Sequence, residues 1–132
     1  MSFQIETRVE PAYVVVTCSG PYSLDAFLHL IETTFEAAAE AQRSAAFVDL
    51  TGVTGTPPTT MDRFEIGVSV AEHHHNPLRI AAVGAYPMID PSRFAQVVAN
   101  NRGARLKVCV DNDEALAWLE KGTDPAPSPS AN

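Results

Sequence analysis

The sequence predicts one α/β domain: a mixed five-stranded sheet, mostly parallel, with four helices packed on it in the order β-β-α-β-α-β-α-β-α. Three observations predict it. Five short stretches are β-branched or alternate apolar with polar residues, four longer ones carry apolar residues at helical spacing, and Gly, Pro and Asn punctuate the junctions. Strands separated by helices run parallel through right-handed crossovers, whereas the first two, joined by a tight turn, pair antiparallel.

Phe3, Ile5 and Val9 alternate with Gln4, Glu6 and Arg8, the period of a strand with one polar face, near a sheet edge. Glu10-Pro11-Ala12 is a turn, and Tyr13 to Cys18 is the second strand. Gly20-Pro21 ends it. Ser23 caps the first helix, with Asp25 at the positive end of its dipole. Leu24, Leu28, Ile31, Phe35 and Ala38 form its apolar stripe, with Glu32, Glu36, Glu40 and Arg43 opposite. Ala45 to Leu50 alternates so little that a sheet covered on both faces is expected there.

Thr51 to Pro58 is a loop by composition. Thr59-x-x-Asp62 opens the second helix as a capping box, and Met61, Phe64, Val68 and Ala71 are its expected buried stripe. The pattern fades at His73-His74-His75, and Asn76-Pro77 stops it. Leu78 to Gly84 is the fourth strand. Asp90-Pro91 places a cap before a proline at the first position of the third helix. Phe94, Val97 and Val98 are expected inward, with Gly103 as the stop. Leu106, Val108 and Val110 form the fifth strand. Asp111-x-x-Glu114 caps a last helix with Leu116 and Leu119 inward and Trp118 partly so. The domain is expected over residues 1–122, and 123–132, rich in Pro, Ser and Ala, as a disordered tail.

Composition excludes several classes. A length of 132 residues suits one domain, and 45% apolar residues is a normal globular content. A net charge of −7, with nine scattered Lys and Arg, argues against nucleic acid, which needs clustered cations, and against anionic membranes. No apolar run reaches the roughly 18 residues of a membrane span. Residues 1–8 lack the basic start and apolar core of a signal peptide, so the expected location is cytoplasmic. Cys18 and Cys109 sit in apolar runs without CxxC spacing and read as buried thiols.

Three stretches carry a resemblance. Phe47-Val48-Asp49-Leu50-Thr51-Gly52-Val53 is similar to the third strand and turn of anti-sigma-factor antagonists. Asp62-Arg63-Phe64-Glu65-Ile66-Gly67 resembles the second helix of a SpoIIAA-like branch of the STAS-like domains, and Val110 to Leu119 resembles that branch's last strand and helix. The resemblance spans roughly residues 3–121 and implies a non-enzymatic regulatory or protein-interaction module with a protein partner and no cofactor. Its working surface would be the loop after the third strand and the start of the second helix. The expected binding residues are Asp49, Thr51, Gly52, Thr56, Thr59, Thr60 and Arg63. The family phosphorylates a serine in an Asp-Ser-Ser-Gly-like motif there. This sequence reads Thr56-Pro57-Pro58-Thr59-Thr60-Met61, which leaves Thr59 and Thr60 as phospho-acceptor candidates beside a repelling Asp62. The residues themselves also allow Thr59 to be only a helix cap. STAS-like folds are similar to CRAL-TRIO lipid-transfer domains, so the alternative is a carrier or sensor of a small apolar or amphipathic ligand held between the second helix and the sheet.

No catalytic constellation stands out. Three consecutive histidines point about 100° apart on a helix and cannot converge on one metal, and His29 does not change that. Gly67-Val68-Ser69-Val70-Ala71 lies mid-helix and lacks the second glycine of a nucleophile elbow. Gly52-Val53-Thr54-Gly55 lacks the Gly-Lys-Ser/Thr of a phosphate loop. Asp49 at a strand's carboxyl end, with Asp62, Arg63 and Glu65 near in sequence, is the remaining acid–base candidate; loop capping by Asp49 and a surface ion pair for Arg63 account for the same residues. Phe27, Phe35, Phe47, Phe64 and Phe94 occur at core spacing. The first strand, at an edge, leaves a homodimer open.

Overall fold

The computed structural model describes residues 2–73 and 78–122. The elements are β1 (Gln4–Val9), β2 (Val14–Pro21), α1 (Leu24–Ala41), β3 (Ala45–Thr54), α2 (Thr60–Glu72), β4 (Arg79–Val83), α3 (Phe94–Asn101), β5 (Arg105–Cys109) and α4 (Asn112–Gly122). The sheet order is β1-β2-β3-β4-β5. β1 pairs antiparallel with β2, and every other pair is parallel. Fold class and element order are therefore those the sequence predicts.

Sequential strand order has a consequence. Each right-handed crossover steps in the same direction, so α1, α2 and α3 all fall on one face of the sheet. That face buries Val14, Val16, Val48, Leu50, Ile80 and Leu106 under the three helices. α4 follows the last strand, is bound by no crossover, and folds back over the other face. There Leu119 and Ala115 cover Phe47, Ala81, Val83 and Cys109. α4 lies over β3, β4 and β5 only. Val15 of β2 is buried in this same layer; beyond it the face carries Gln4, Glu6 and Arg8 of β1 (all exposed) beside half-buried Thr17.

Local signals held at most junctions. Ser23 Oγ accepts from Ala26 N at 3.1 Å, and Ile31 and Ala38 are buried as expected. Phe27, Leu30 and Thr34 join them, while Leu24, Leu28 and Phe35 are half-buried on the flank. Gly103 takes φ +97° at the end of α3. Both cysteines are buried free thiols.

Four expectations need correction. The third helix starts at Phe94, because Asp90 reaches four residues ahead to accept from Phe94 N at 3.0 Å. Residues 90–93 form a turn ending in left-handed Arg93, φ 53°. The later start rotates the helix, so Val97 is exposed and Val98 and Ala99 face inward. Val110 is exposed because β5 ends at Cys109. Glu114 does not close a capping box; it pairs with Lys107 at 3.2 Å, while Asp111 Oδ1 accepts from Asp113 N. On α2, Met61 and Phe64 are exposed, and Gly67 and Val70 are buried. The backbone of α2 packs on α1 and α3 rather than directly on the strands. His74, His75, Asn76, Pro77 and the expected tail lie outside the described residues.

Two substitutions test this packing. A methyl on Gly67 would lie 2.7 Å from Ala95 O and 2.7 Å from Val98 Cβ. Gly67→Ala adds about 1 kcal/mol of helix propensity but overpacks by about 1–3 kcal/mol. A net loss near 1 kcal/mol and a drop of a few degrees in Tm are expected by thermal denaturation. Leu119, 1% exposed, holds α4 to the sheet. Leu119→Ala is expected to cost about 2–5 kcal/mol by denaturant titration.

Candidate functional site

β3 overruns the parallel sheet. β4 pairs with Ala45 to Asp49, and the strand continues beside β2 to Thr54 after a register shift between Thr17 and Ser19. Gly52 sits at this irregularity, where a Cβ would come within 3.0 Å of Cys18 O and Ser19 Cβ. Tyr22 N donates to Thr54 O at 2.8 Å, and Gly55 turns the chain at φ +90°. Thr51, Gly52, Thr54, Gly55 and Thr56 are exposed, and Pro58 is buried beneath them.

Asp49 stabilises the irregular end of β3, which continues to Thr54 through residues the sequence assigns to a loop. Its Oδ1 accepts from Thr51 N at 2.9 Å and from Thr51 Oγ1 at 2.6 Å. Asp49 also shares the side of β3 that carries Phe47, the face covered by α4. Arg63 lines a cavity on the opposite face with Val48 and Leu50. The sheet therefore separates Asp49 and Thr51 from Arg63.

Thr59 forms the capping box the sequence signals. Asp62 N donates to its Oγ1 at 3.0 Å, and Thr59 N donates back to Asp62 Oδ2 at 3.4 Å. Asp62 Oδ2 also accepts from Tyr22 Oη at 3.0 Å. Partial burial and that bond to a carboxylate hold the Tyr22 phenol protonated well above its ordinary range. A carboxylate thus already occupies the positive end of α2. Thr59 and Thr60 are exposed.

Arg63 anchors α2 to the segment before α3. It donates to Asp90 Oδ1 at 3.1 Å, Met88 O at 3.0 Å and Pro87 O at 3.4 Å. This is no open surface pair, since the two side chains are only 12% and 20% exposed. Burial raises the Asp90 pKa; the Ser92 hydroxyl, the Phe94 N–H and Arg63 outweigh it and hold the carboxyl below its ordinary range. Arg93 closes the next position, donating to Val108 O at 2.8 Å and Asp90 O at 2.9 Å.

Beneath α2 lies a cavity of about 90 Å³ between helices and sheet. Phe27, Ile31, Ile66, Val70, Ile80 and Leu106 line it, and Arg63, Asp90 and Arg93 stand on its polar side. Asp90 and Arg93 were not flagged as site residues by the sequence. Asp90 reads there as a helix cap, and the left-handed backbone that turns Arg93 inward has no signal in a non-glycine residue.

Nucleophile chemistry finds little support among the described groups. Burial, reinforced by Asp49, pushes the Cys18 thiol up to about 12, and burial with Glu114 raises Cys109. His73 Nδ1 lies 2.9 Å from Ser69 O, and its ring stacks on Phe35. No group of three His, Cys, Asp or Glu among the described residues could hold a metal, and no described helix is long and apolar enough to cross a membrane.

No protein-family model matches the chain. No curated protein matches it either. Solved structures do. An anti-sigma factor antagonist from Mycobacterium paratuberculosis aligns at TM-score 0.58 and 17% identity, over 90% of this chain and 95% of that one. An uncharacterized Shewanella loihica protein with a SpoIIAA-like fold aligns at 0.49 and 20% identity, over 89% and 93%. Unphosphorylated SpoIIAA, an anti-sigma factor antagonist, aligns at 0.49 and 14% identity, over 90% and 98%. With the sheet order and four helices above, the first alignment identifies the architecture: this chain has the STAS-like, SpoIIAA-like fold of an anti-sigma factor antagonist.

Proposed function

We propose that the chain is a non-enzymatic regulatory module that binds another protein through the loop after β3 and the first turns of α2. The observation that carries this reading is the outer stripe of α2. Met61 is 66% exposed, and Phe64, one turn on, is 36% exposed with the Arg102 guanidinium 5.3 Å from its ring centre. Scattered exposed apolar residues need no explanation. Two large ones in register on one helix, bordered by exposed Thr56, Thr59 and Thr60, make a small apolar patch with a polar rim, as protein-binding surfaces have. The fold shared with an anti-sigma factor antagonist adds an analogy of the same kind.

Within this reading Thr51 and Gly52 supply the exposed end of β3 and Thr56 the loop that follows, Asp49 rigidifies that strand end, and Arg63 fixes the angle of α2. Phosphate is not required. A dianion on Thr59 would break the capping box and face Asp62, which leaves Thr60 the less encumbered acceptor. Two buried thiols suit a reducing, cytoplasmic setting. The test is a paired Met61→Glu and Phe64→Glu variant. It should stay folded, at a cost of about 1 kcal/mol for the ring burial and Arg102 contact that Phe64 gives up, checked by circular dichroism. Capture of a partner from the native cytosol should fall at least about tenfold, the loss of roughly 1.4 kcal/mol. Undiminished capture by a folded variant would rule this surface out.

The cavity favours a second reading, a carrier or sensor of a small apolar or amphipathic ligand under α2. Its lining is apolar and its polar side holds two arginines and a carboxylate, and at about 90 Å³, below the ~300 Å³ of common ligand sites, it admits only a very small ligand unless α2 shifts. Native mass spectrometry should then show added mass on the purified protein. Ala82→Leu, which fills the cavity floor, should abolish it. A clean unliganded mass for the parent protein counts against this reading.

A further inference from the structure

The two edges of the sheet are treated differently. On β5 the outward backbone groups are taken by side chains of α3 and its cap. Asn100 Oδ1 accepts from Leu106 N at 2.8 Å, and its Nδ2 donates to Leu106 O at 2.9 Å. Gln96 Oε1 accepts from Val108 N at 2.7 Å, and Arg93 Nε donates to Val108 O at 2.8 Å. That edge cannot accept another strand without breaking four hydrogen bonds. β1 has no such cover. Among the described residues no side chain bonds the backbone of residues 4–9, no element lies beyond β1, and Val9 is 56% exposed.

The sequence of that open edge is complementary to itself. Two copies pairing antiparallel about a two-fold axis normal to the sheet must match residues of the same parity, because opposed side chains share a face. The pairing is then centred on a single residue. Centring on Glu6 or Arg8 sets like charges directly opposite, which destabilises. Centring on Thr7 sets Glu6 against Arg8 twice, Ile5 against Val9 twice, and Gln4 against Glu10. Arg8 already donates from Nε to Glu10 of its own chain at 2.8 Å, which leaves the far edge of its guanidinium turned to other acceptors. The charged residues also lie on the face that α4 leaves bare, so no helix obstructs them.

We infer that β1 is a homodimer edge, pairing with a second copy of this chain in the Thr7-centred register to form a continuous ten-stranded sheet. The occupant is a second copy because the charge order selects itself; an arbitrary partner strand would not be expected to match Glu6 and Arg8 in opposite order. A ladder of five opposed β1 residues, Ile5 to Val9, buries much less than the ~1,200 Å² of a firm interface, so the dimer is weak and weakens further with salt.

Sedimentation velocity over a range up to about 1 mM, the scale of weak association, tests it. The parent protein should show concentration-dependent dimer. Glu6→Arg or Arg8→Glu alone should weaken self-association about tenfold, since each creates like-charge pairs on both sides of the axis. The double swap Glu6→Arg with Arg8→Glu should restore it. Circular dichroism verifies that each variant is folded, and amide exchange of residues 4–9 should slow with concentration in the parent and the double swap only. A parent that stays monomeric, or a dimer indifferent to the single swaps, overturns the proposal. So does a double swap that stays monomeric, which would assign the edge to another strand.

Discussion

Strands in a sheet lie about 4.8 Å apart, but packed helices need 8–10 Å between axes. That mismatch governs this molecule. With strand order running straight from β1 to β5, right-handed crossovers place α1, α2 and α3 on one face, each called to a position one strand spacing from the last. Three helices cannot all lie there. α1 and α3 take the sheet, and α2 is lifted onto the two of them, with Ile66 and Val70 facing the strands across the cavity. Gly67 is the residue that lets it settle, because α3 passes where a β-carbon would be. The cavity beneath α2 is the space left by the same geometry.

The other face follows from the same topology. Since no crossover helix can reach it, only the terminal α4 covers it, and one helix spans three strands. Side chains of that layer also cover Val15 of β2, so the strip left over is that of β1, and Gln4, Glu6 and Arg8 make it polar. The far edge is closed by a different device. Asn100 imitates a neighbouring strand by offering both a donor and an acceptor to Leu106, while Gln96 and Arg93 serve Val108. One edge is thereby sealed within the chain, and among the described residues nothing covers the other.

Much of this was legible in the sequence where local chemistry decides the outcome. Ser23, Thr59 with Asp62, and Gly103 behave as caps and stops because their partners lie within four residues. The misread elements are those decided at longer range. α2 has two stripes of one residue every three or four. Met61, Phe64 and Val68 look like the core stripe, and Arg63, Ile66 and Val70 include a charge. Hydrophobicity favours the first; the helix buries the second, because Arg63 finds Asp90 and two carbonyl oxygens twenty-four or more residues away. The same holds at the candidate site. Asp49 and Arg63 look close along the chain, but the period-two alternation after Phe47 puts them on opposite faces. The roles of Asp90 and Arg93 depend on a turn whose left-handed residue is an arginine, and arginine carries no signal for that conformation.

The two readings of function meet in α2. Its outer stripe, centred on Met61 and Phe64, and its inner stripe, Arg63, Ile66 and Val70, lie about 150° apart around the helix at 100° per residue. Gly67 faces the flank between them and touches α3. A helix held by neighbouring helices rather than by a sheet has no ladder of strand contacts resisting small rigid displacements; its seat is set by side chains and by the Arg63–Asp90 pair. Whatever fills the inner space must press on the same rigid rod that presents the outer stripe. A ligand beneath α2 and a protein upon it would therefore be energetically coupled whenever either one prefers a different seating of the helix, and by linkage each would change the affinity for the other by the same factor.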